Sequence, residues 1–378
     1  MGILGVVLAV IIVGIIIFIH EFGHYIMGKL SGCSVSQFSI GWGPKLLSFK
    51  RKETEYRISC IPFIGGYVRL PGMEGESTEL TEEEKSDIKK YNLKTFEDAR
   101  TWQKFLVFIG GVGLQIVICI LILTLVIALW GKPINKVFVG QVIPNSPAET
   151  AGVKQYDVIL KVDNKKVESS EGLIGVLSDK ADKEVALTIS RKNEEVQIMV
   201  IPEYSKEQKR ALIGISIGES LDFMNLGKAG MRWHDYIFGG LILTASMIIL
   251  ILKIIWLLIT GGLSLKMAAG PIGIVAETTK AIGLGFHYTL FFFIMININL
   301  AIINIIPFPA LDGGHILFLS IEKIFRFKIK PKVKEIITLI GFAFLITLII
   351  YISFNDITRL TKQKQLKTEK ADQAEVKK

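Results

Sequence analysis

The sequence predicts a polytopic α-helical membrane protein with a small α+β domain inserted between its apolar segments. Half of the 378 residues are hydrophobic and the mean hydropathy is +0.47, which is well above the usual range of soluble globular proteins. Several nearly uncharged runs also reach the roughly 18 residues that a transmembrane helix needs. These observations exclude a cytosolic enzyme, a disordered chain and a nucleic-acid-binding protein. We therefore expect the basic residues behind the net charge of +9 to set the orientation of the chain in the membrane.

The first apolar segment starts close to the N-terminus. Residues 3–19 are apolar and no basic residue occurs before Lys29, so the segment lacks the basic region that opens a signal peptide. We therefore expect residues 1–27 to be retained as the first transmembrane helix. The first half of the polar segment 28–104 is rich in β-branched and aromatic residues punctuated by Gly and Pro, which predicts short strands. Its second half is charged and is expected to be a solvated segment.

The remainder of the chain alternates between apolar runs and one long polar stretch. An apolar run at 105–130 predicts the second transmembrane helix. The polar stretch, 131–235, has four strand-like runs and one helical run, which predicts a small α+β domain. The run at 236–259 is apolar but contains Lys253. Three further segments complete the chain: 288–315, a helix that prolines interrupt near its end; 334–354, the last helix; and 355–378, a charged tail expected to be disordered.

A metal-binding pattern lies inside the first apolar helix. Residues 20–24 read His-Glu-Phe-Gly-His, and two histidines four residues apart lie on one helix face, about one turn apart. The pair can bind one Zn²⁺ ion, with Glu21 beside it to accept a proton from water. Ionisable side chains in an apolar helix are costly and mark functional sites by default. The pattern therefore predicts a zinc site at His20 and His24 rather than a structural polar cluster.

A catalytic zinc site needs a third protein ligand, and Asp312 is the candidate that the sequence favours. It follows the apolar run 288–311, at a point where two prolines interrupt the helix and Gly313 permits a sharp turn. Such a break at membrane depth is tolerated only where protein or water covers it. His315 is the alternative ligand by its chemistry, but a carboxylate at a Pro/Gly break is the stronger choice.

Together these motifs resemble the site-2 protease family of intramembrane zinc metalloproteases, and most closely the bacterial regulator-of-sigma-E protease group. The resemblance extends over nearly the whole chain and rests first on HEFGH in the first helix and NIIPFPALDGG in a late one. FSIGWGPKL and IPFIGGYVRLPG are similar to the membrane re-entrant β-hairpin of that group. VIPNSPAETAGVKQYDVILKVDNKKV is similar to a PDZ domain, and AAGPIGI and SFNDITRL also match.

The resemblance implies a role for each residue of these motifs. His20, His24 and Asp312 would be the zinc ligands, Glu21 would be the general base, and Asn304 would contact the substrate or the reacting carbonyl. A hairpin at about 37–71 would offer a strand edge to which an unwound substrate segment adds as another strand. Without the resemblance, its glycines are equally typical of ordinary turns. The hairpin residues implied in substrate binding are Gly41, Gly43, Gly65, Gly66 and Tyr67.

The chain departs from the family pattern in two places. In the second helix, Gly-Val-Gly-Leu-Gln at 111–115 stands where the family often has Gly-Pro-x-x-Asn, so Gln115 keeps an amide group but the proline is lost. The PDZ-like segment, 131–205, has room for a single PDZ unit. It reads Gln-Tyr-Asp at 155–157 instead of the usual Pro-Gly-Asp.

The zinc site also predicts the membrane topology. The first helix and the 288–311 helix both carry ligands near their C-terminal ends, so both must run in the same direction. Six basic and no acidic residues from Lys323 to Lys334 place that end in the cytoplasm and the PDZ-like domain outside. The run 236–259, within the linker 206–287, should then lie in the outer leaflet without spanning. The expected fold has four transmembrane helices, a re-entrant β-hairpin and an inserted α+β PDZ-like domain.

The resemblance further implies a protease that hydrolyses peptide bonds within transmembrane segments, with Zn²⁺ as its cofactor. It would lie in the bacterial cytoplasmic (inner) membrane, with the active site near the cytoplasmic side. Expected substrates are single-span membrane proteins such as anti-sigma factors, already cut by an upstream site-1-type protease, or remnant signal peptides. The lipid bilayer is the other expected partner, and nucleic acid is not one. The alternative is a non-proteolytic transporter or scaffold with a PDZ module, but a transporter should show paired broken helices in two halves.

Overall fold

The structure is a computed structural model that describes residues 3–73, 80–130, 132–144, 146–155, 157–191, 194–205, 210–224, 233–264 and 268–376. It divides into a helical unit, residues 1–123 with 240–378, and an inserted unit, residues 124–239. The described helices are α1 Ile3–Leu30, α2 Glu82–Lys90, α3 Thr101–Trp130, α4 Pro147–Thr150, α5 Ser170–Ser178, α6 Trp233–Ile259, α7 Pro271–Leu284, α8 Phe286–Ile305, α9 Asp312–Phe325 and α10 Pro331–Val376. The described strands are β1 Gln37–Arg51, β2 Thr54–Arg69, β3 Lys132–Val142, β4 Val158–Val162, β5 Lys165–Lys166, β6 Val185–Arg191, β7 Glu194–Val200, β8 Glu203–Ser205, β9 Arg210–Leu212 and β10 Ile215–Met224.

Long apolar helices dominate the helical unit. Among the described residues, five helices are long and apolar enough to cross a bilayer, by length and composition. A helix that is apolar on all sides cannot present a polar face to water, so it belongs in lipid or in a protein core. The prediction of a polytopic helical membrane protein is therefore confirmed. The five segments are Ile3–Leu30, Thr101–Leu129, Trp233–Ile259, Tyr288–Ile305 and Pro331–Thr361.

The strands predicted after the first helix form one long antiparallel hairpin of β1 and β2. Its strands bend back on themselves, so that Phe38 near the start of β1 opposes both Tyr56 and Val68 of β2. At the turn, Lys29 at the end of α1 forms an ion pair with the buried Glu53. The hairpin is thereby held against α1, the helix that carries the two histidines.

The inserted unit is built around an antiparallel sheet in the order β10-β3-β4-β6-β7, with β5 beside β4. Alternate residues of its strands, such as Leu187 and Ile189 of β6, point into a common apolar core with Leu173 of α5. This arrangement is the predicted small α+β domain. It extends beyond the predicted end at residue 205, however, because β10 pairs with β3 from Ile215 to Met224.

An ion pair with a buried carboxylate joins the residue before β4 to the last residue of β6. Asp157, whose side chain is 2% exposed, accepts hydrogen bonds from Arg191 Nε at 2.8 Å and Nη2 at 2.6 Å. Burial alone raises the pKa of Asp157, but the hydrogen bonds from Arg191 and from the Lys154 backbone N–H outweigh burial and lower this pKa below its usual value. The pair therefore favours the ionised carboxylate at neutral pH.

Three segments differ from the sequence expectation. The charged stretch before α3 contains a short helix, α2, which begins with a capping box between Thr81 and Glu84. The predicted linker 206–287 contains α7, in which Pro271 occupies a favourable position in the first turn. The prediction that 355–378 is a disordered tail is wrong up to residue 376, because α10 continues to Val376 through residues that are mostly good helix formers.

Candidate metal centre

The site lies where α1 and α3 cross with their backbones in close contact. A Cβ atom added to Gly23 of α1 would lie 2.3 Å from the Gly110 carbonyl oxygen of α3, and one added to Gly110 would lie 2.7 Å from the Gly23 carbonyl oxygen. Both distances are below 3.0 Å, closer than Cβ atoms approach other atoms in proteins. Glycine at both positions thus lets the α3 backbone pack directly against the histidine face of α1.

Three predicted ligand atoms meet at this crossing. His20 and His24 are buried, and their Nε2 atoms lie 3.1 Å apart. Asp312 Oδ2 lies 3.1 Å from His20 Nε2 and 3.3 Å from His24 Nε2. Residues separated by almost 300 positions in the chain therefore form one cluster that could hold a metal ion.

Asp312 reaches the cluster because the chain breaks between α8 and α9. The break, residues 306–311, contains the two prolines and includes Ala310 with a left-handed φ of +79°. A Cβ atom on Gly313 would lie 2.2 Å from the Ile306 carbonyl oxygen, so the turn excludes larger residues there. The predicted break thus places Asp312 in the first turn of a new helix, next to α1.

Hydrogen bonds from α3 hold the two imidazole rings. His24 Nδ1 lies 2.8 Å from the backbone carbonyl oxygen of Val107. Because a carbonyl oxygen can only accept, His24 Nδ1 carries the hydrogen and its Nε2 lone pair faces Asp312. His20 Nδ1 lies 3.1 Å from Gln115 Oε1, the amide that stands in place of the family's usual asparagine.

The donor set fits a zinc ion. Asp312 Oδ2 is buried and, among the described residues, makes no hydrogen bond, although two imidazole nitrogens lie next to it. Four tetrahedral ligands at about 2.0–2.2 Å from zinc lie about 3.3–3.6 Å from one another. The three separations of 3.1–3.3 Å are close to this spacing. Two imidazoles and one carboxylate also leave a fourth position open, as catalytic zinc sites do.

Glu21 lies beside the cluster without contributing a ligand atom to it. It follows His20 on α1, and its carboxylate lies beside the backbone N–H of Val68 in β2. The hairpin therefore orients the residue predicted to be the general base.

Two of the predicted substrate-binding residues lie next to the histidine helix. Asn304 Nδ2, at the end of α8, is 3.3 Å from His20 Nε2. Gly65 of β2 lies against α1, because a Cβ atom there would be 2.9 Å from Ile17 Cγ2. The structure thus brings Asn304 and the β2 strand to the cluster.

The other hairpin residues make contacts within the hairpin. The Tyr67 hydroxyl lies 3.4 Å from Arg57 Nη1 and 3.3 Å from Gln37 Oε1. A Cβ atom on Gly66 would lie 2.4 Å from a β1 carbonyl oxygen, so close strand pairing requires glycine there. Two further predicted residues adopt left-handed φ angles in β1: Gly41 at +88° and Gly43 at +96°.

The alternative ligand, His315, has a different position. Its ring stacks on Phe108 of α3, with ring centroids 4.8 Å apart and planes inclined by 2°. It is not a member of the cluster formed by His20, His24 and Asp312.

Two residues that support the cluster, Val107 and Asn297, are not among the residues predicted from the sequence. Val107 acts through its backbone carbonyl, which leaves no trace in the side-chain pattern. Asn297, which contacts Gln115, did leave a signal, because an amide in an apolar helix is costly unless it has a partner.

Comparison with known proteins identifies relatives over most of the chain. The sequence profile of peptidase family M50 matches residues 8–348. The chain is 28% identical to the zinc metalloprotease RasP of Oceanobacillus iheyensis, over 94% of this chain and 99% of that protein. It is 27% identical to the regulator of sigma-W protease RasP of Bacillus subtilis, over 94% of this chain and 98% of that protein.

Among solved structures, the PDZ domain of the SdrC-like protein from Listeria monocytogenes aligns with 21% of this chain and 85% of that chain, at 21% identity and a TM-score of 0.20. The family match excludes the alternative of a non-proteolytic transporter or scaffold. Because that match spans both the histidine helix and the aspartate turn, this chain belongs to peptidase family M50 and is a zinc metalloprotease.

Proposed function

We propose that this metalloprotease cleaves peptide bonds within transmembrane segments, with His20, His24 and Asp312 as zinc ligands and Glu21 as general base. The observation that carries the proposal is the position of the histidines within α1, a helix apolar and long enough to cross a bilayer. A zinc site in such a helix meets its substrate at membrane depth.

The residues of the site account for the handling of water and protons. Zinc, when bound, supplies Lewis acidity that polarises a carbonyl group. Glu21, oriented by the Val68 N–H, takes a proton from the attacking water and returns it to the leaving amine nitrogen. The Asn304 amide, 3.3 Å from His20 Nε2, is placed to donate a hydrogen bond to the reacting carbonyl oxygen.

The hairpin is the proposed receptor for the substrate backbone. A peptide bond in a helix is shielded because its carbonyl is already hydrogen-bonded, so the substrate must unwind first. Gly66 pairs with Ile40 on one side, and among the described residues no strand pairs with its other edge. A substrate strand added there would run beside β2, the strand whose Val68 N–H contacts Glu21. Exposed Trp42 and Phe49 in β1 suit a re-entrant position in the membrane.

We propose four spanning helices, with α6 in the outer leaflet. His20 of α1 contacts Gln115 of α3, whereas His24, one turn later in α1, contacts Val107, which comes earlier in α3. In the same way, Ile294 of α8 contacts Cys119 of α3, and Asn297, later in α8, contacts Gln115, which comes earlier in α3. Hence α1 and α8 are both antiparallel to α3 and run in the same direction, as the shared-ligand argument requires. Cysteine labelling at position 260 tests the α6 assignment: with the native cysteines replaced, Thr260→Cys should react from outside, and reaction only from the cytoplasm would mean that α6 crosses.

Substrate class and location follow from the same proposal. The relative from Bacillus subtilis is named a regulator of sigma-W protease, which supports single-span anti-sigma factors as substrates here, with remnant signal peptides as a second group. We place the protein in the bacterial cytoplasmic membrane with its site near the cytoplasmic side. The inserted PDZ-like unit would lie outside and exclude substrates that an upstream site-1-type protease has not yet trimmed.

The catalytic assignment is tested with purified protein and a model single-span substrate. Glu21→Gln should abolish cleavage and retain zinc, because Glu21 is not one of the clustered ligand atoms. Glu277→Gln is the matched control, since Glu277 pairs with Lys280 on α7 and, in the part of the chain that the structure describes, belongs to no metal-binding group. Cleavage by Glu21→Gln at the wild-type rate would show that another group is the base. Asp312→Ala should lose both zinc and activity, and retained stoichiometric zinc would move the third ligand elsewhere.

A further inference from the structure

Two amide side chains lie buried behind the histidine pair. Gln115 of α3 and Asn297 of α8 both have 0% exposure, although each belongs to a helix apolar enough to cross a bilayer. Buried amides without partners are costly, so their hydrogen bonds are expected to be specific. Neither residue is one of the proposed ligands, the base or a substrate contact.

The direction of each hydrogen bond follows from one backbone carbonyl. Asn297 Nδ2 lies 3.2 Å from the Gln115 carbonyl oxygen and 3.1 Å from Cys119 Sγ. A carbonyl oxygen only accepts, so this atom of Asn297 is the NH₂ group and the other amide atom is the oxygen. Gln115 Nε2, 3.1 Å from Asn297 Oδ1, must therefore donate.

The Gln115 amide in turn fixes the position of the hydrogen on the His20 ring. With its NH₂ group committed to Asn297, Gln115 presents Oε1 to His20 Nδ1 at 3.1 Å. An amide oxygen can only accept, so Nδ1 must carry the imidazole hydrogen. The Nε2 lone pair of His20 then faces the cluster, with Asp312 Oδ2 at 3.1 Å and the Asn304 amide nitrogen at 3.3 Å.

We infer that Gln115 and Asn297 are positioning residues that together fix the tautomer and ring orientation of His20 for metal binding. The two histidines are thus held by different means. His24 depends on the Val107 backbone, which substitution of side chains leaves in place. His20 depends on two side chains from two other helices, so its ligand geometry requires α1, α3 and α8 to be packed together. The inference rests on the proposed zinc site.

Substitutions of similar shape separate this role from simple packing. Gln115→Met keeps the length of the side chain but removes the acceptor for His20. Gln115→Glu keeps an acceptor oxygen whether or not the new carboxyl group is protonated. A packing role predicts that Met is tolerated and Glu is not, whereas the positioning role predicts the reverse order.

Zinc affinity of the purified full-length protein, measured by competition with a chelator, is the first readout. Loss of a hydrogen-bond partner behind a metal ligand typically weakens metal binding about 10- to 100-fold, and we expect this loss for Gln115→Met and little loss for Gln115→Glu. At position 297 the matched pair is Asn297→Leu, which frees the Gln115 amide to rotate, and Asn297→Asp, which still accepts from Gln115 Nε2. Thermal unfolding of each metal-free variant checks that it folds.

The second readout is the ¹⁵N NMR spectrum of histidine-labelled, metal-free protein. We expect a protonated Nδ1 for His20 in the wild type and in Gln115→Glu, and a mixture of tautomers in Gln115→Met. Wild-type zinc affinity in Gln115→Met, or equal loss in Gln115→Met and Gln115→Glu, would overturn the inference while leaving the zinc site intact. Failure of the wild type itself to bind zinc would overturn the site and the inference together.

Discussion

A methyl group at Gly111 is expected to disrupt the metal centre directly. Gly111 lies on the α3 face that packs against both histidines. A Cβ atom there would lie 2.6 Å from His24 Nε2, 2.7 Å from His20 Cε1 and 2.8 Å from His20 Nδ1. Ordinary contacts of a Cβ atom begin at 3.4 Å, so Gly111→Ala would displace the imidazole rings by about 0.6–0.8 Å or push the two helices apart.

The expected size of the effect follows from this displacement. Metal and catalytic sites tolerate misplacement of about 0.5 Å, so the shift exceeds what the ligand geometry allows. Overpacking of a close-packed interior costs about 1–3 kcal/mol. At 1.4 kcal/mol for each tenfold change in affinity, this corresponds to about 5- to 150-fold weaker zinc binding.

The matched control lies two residues further along the same helix. Apart from its own helix backbone and chain neighbours, a Cβ atom on Gly113 would have no described atom within 4 Å, so Gly113→Ala adds the same methyl group to the same helix without touching the site. Zinc affinity of both purified variants is measured by chelator competition, and thermal unfolding of the metal-free forms shows whether each is folded. Equal zinc affinity in Gly111→Ala and Gly113→Ala would refute the packing of the α3 backbone against the histidines.

Three further predictions concern the rest of the chain. Arg191→Leu should destabilise the inserted unit by about 3 kcal/mol in denaturant unfolding, because it leaves the buried Asp157 carboxylate unpaired. Since the pKa of Asp157 is lowered on folding, the stabilisation from this pair should be complete above about pH 4 and disappear as the pH falls through the folded pKa; a pH-independent difference between wild type and variant would contradict this. Asp356→Ala should loosen α7, because the fully buried Asp356 accepts hydrogen bonds from the Gly270 and Gly273 backbone N–H groups at 2.9 and 2.7 Å. In limited proteolysis, the Asp356→Ala variant should be cut near α7 faster than the Asp356→Asn variant, which keeps an acceptor. Replacing residues 132–224 by a short flexible linker should retain cleavage of a trimmed substrate and admit untrimmed ones, and complete inactivity of a folded deletion would contradict the access role of the inserted unit.

The limits of the inserted unit differ between the sequence prediction and the structure. The strand-like runs up to residue 201 predict a small α+β domain, and such a domain is present. The pairing of β10 with β3 joins residues about 80 positions apart, and no local pattern specifies that register. Removing only 131–205 would leave β10 without its partner, so the structure sets the limits of the experiment.

At the metal centre, too, some features could be predicted from the sequence and others could not. The spacing of His20 and His24 follows from the helical repeat alone, and the prolines and Gly313 mark the break that carries Asp312, so these three residues could be proposed as ligands from sequence. The hydrogen bonds that hold the imidazole rings could not be predicted from sequence, because hydrogen bonds between helices depend on which helix faces meet and on how the helices are shifted along their axes.

The sequence by itself therefore determined the membrane class of the chain, the family resemblance and the candidate ligands, since periodicity, apolar run length and helix breaks are local properties. Only the tertiary structure decided that the Val107 carbonyl holds His24 and that Gln115 and Asn297 hold His20. These contacts exist because Gly23 and Gly110 let α1 and α3 approach closely. The distance between the two helices depends on how they pack and is not specified by either helix alone.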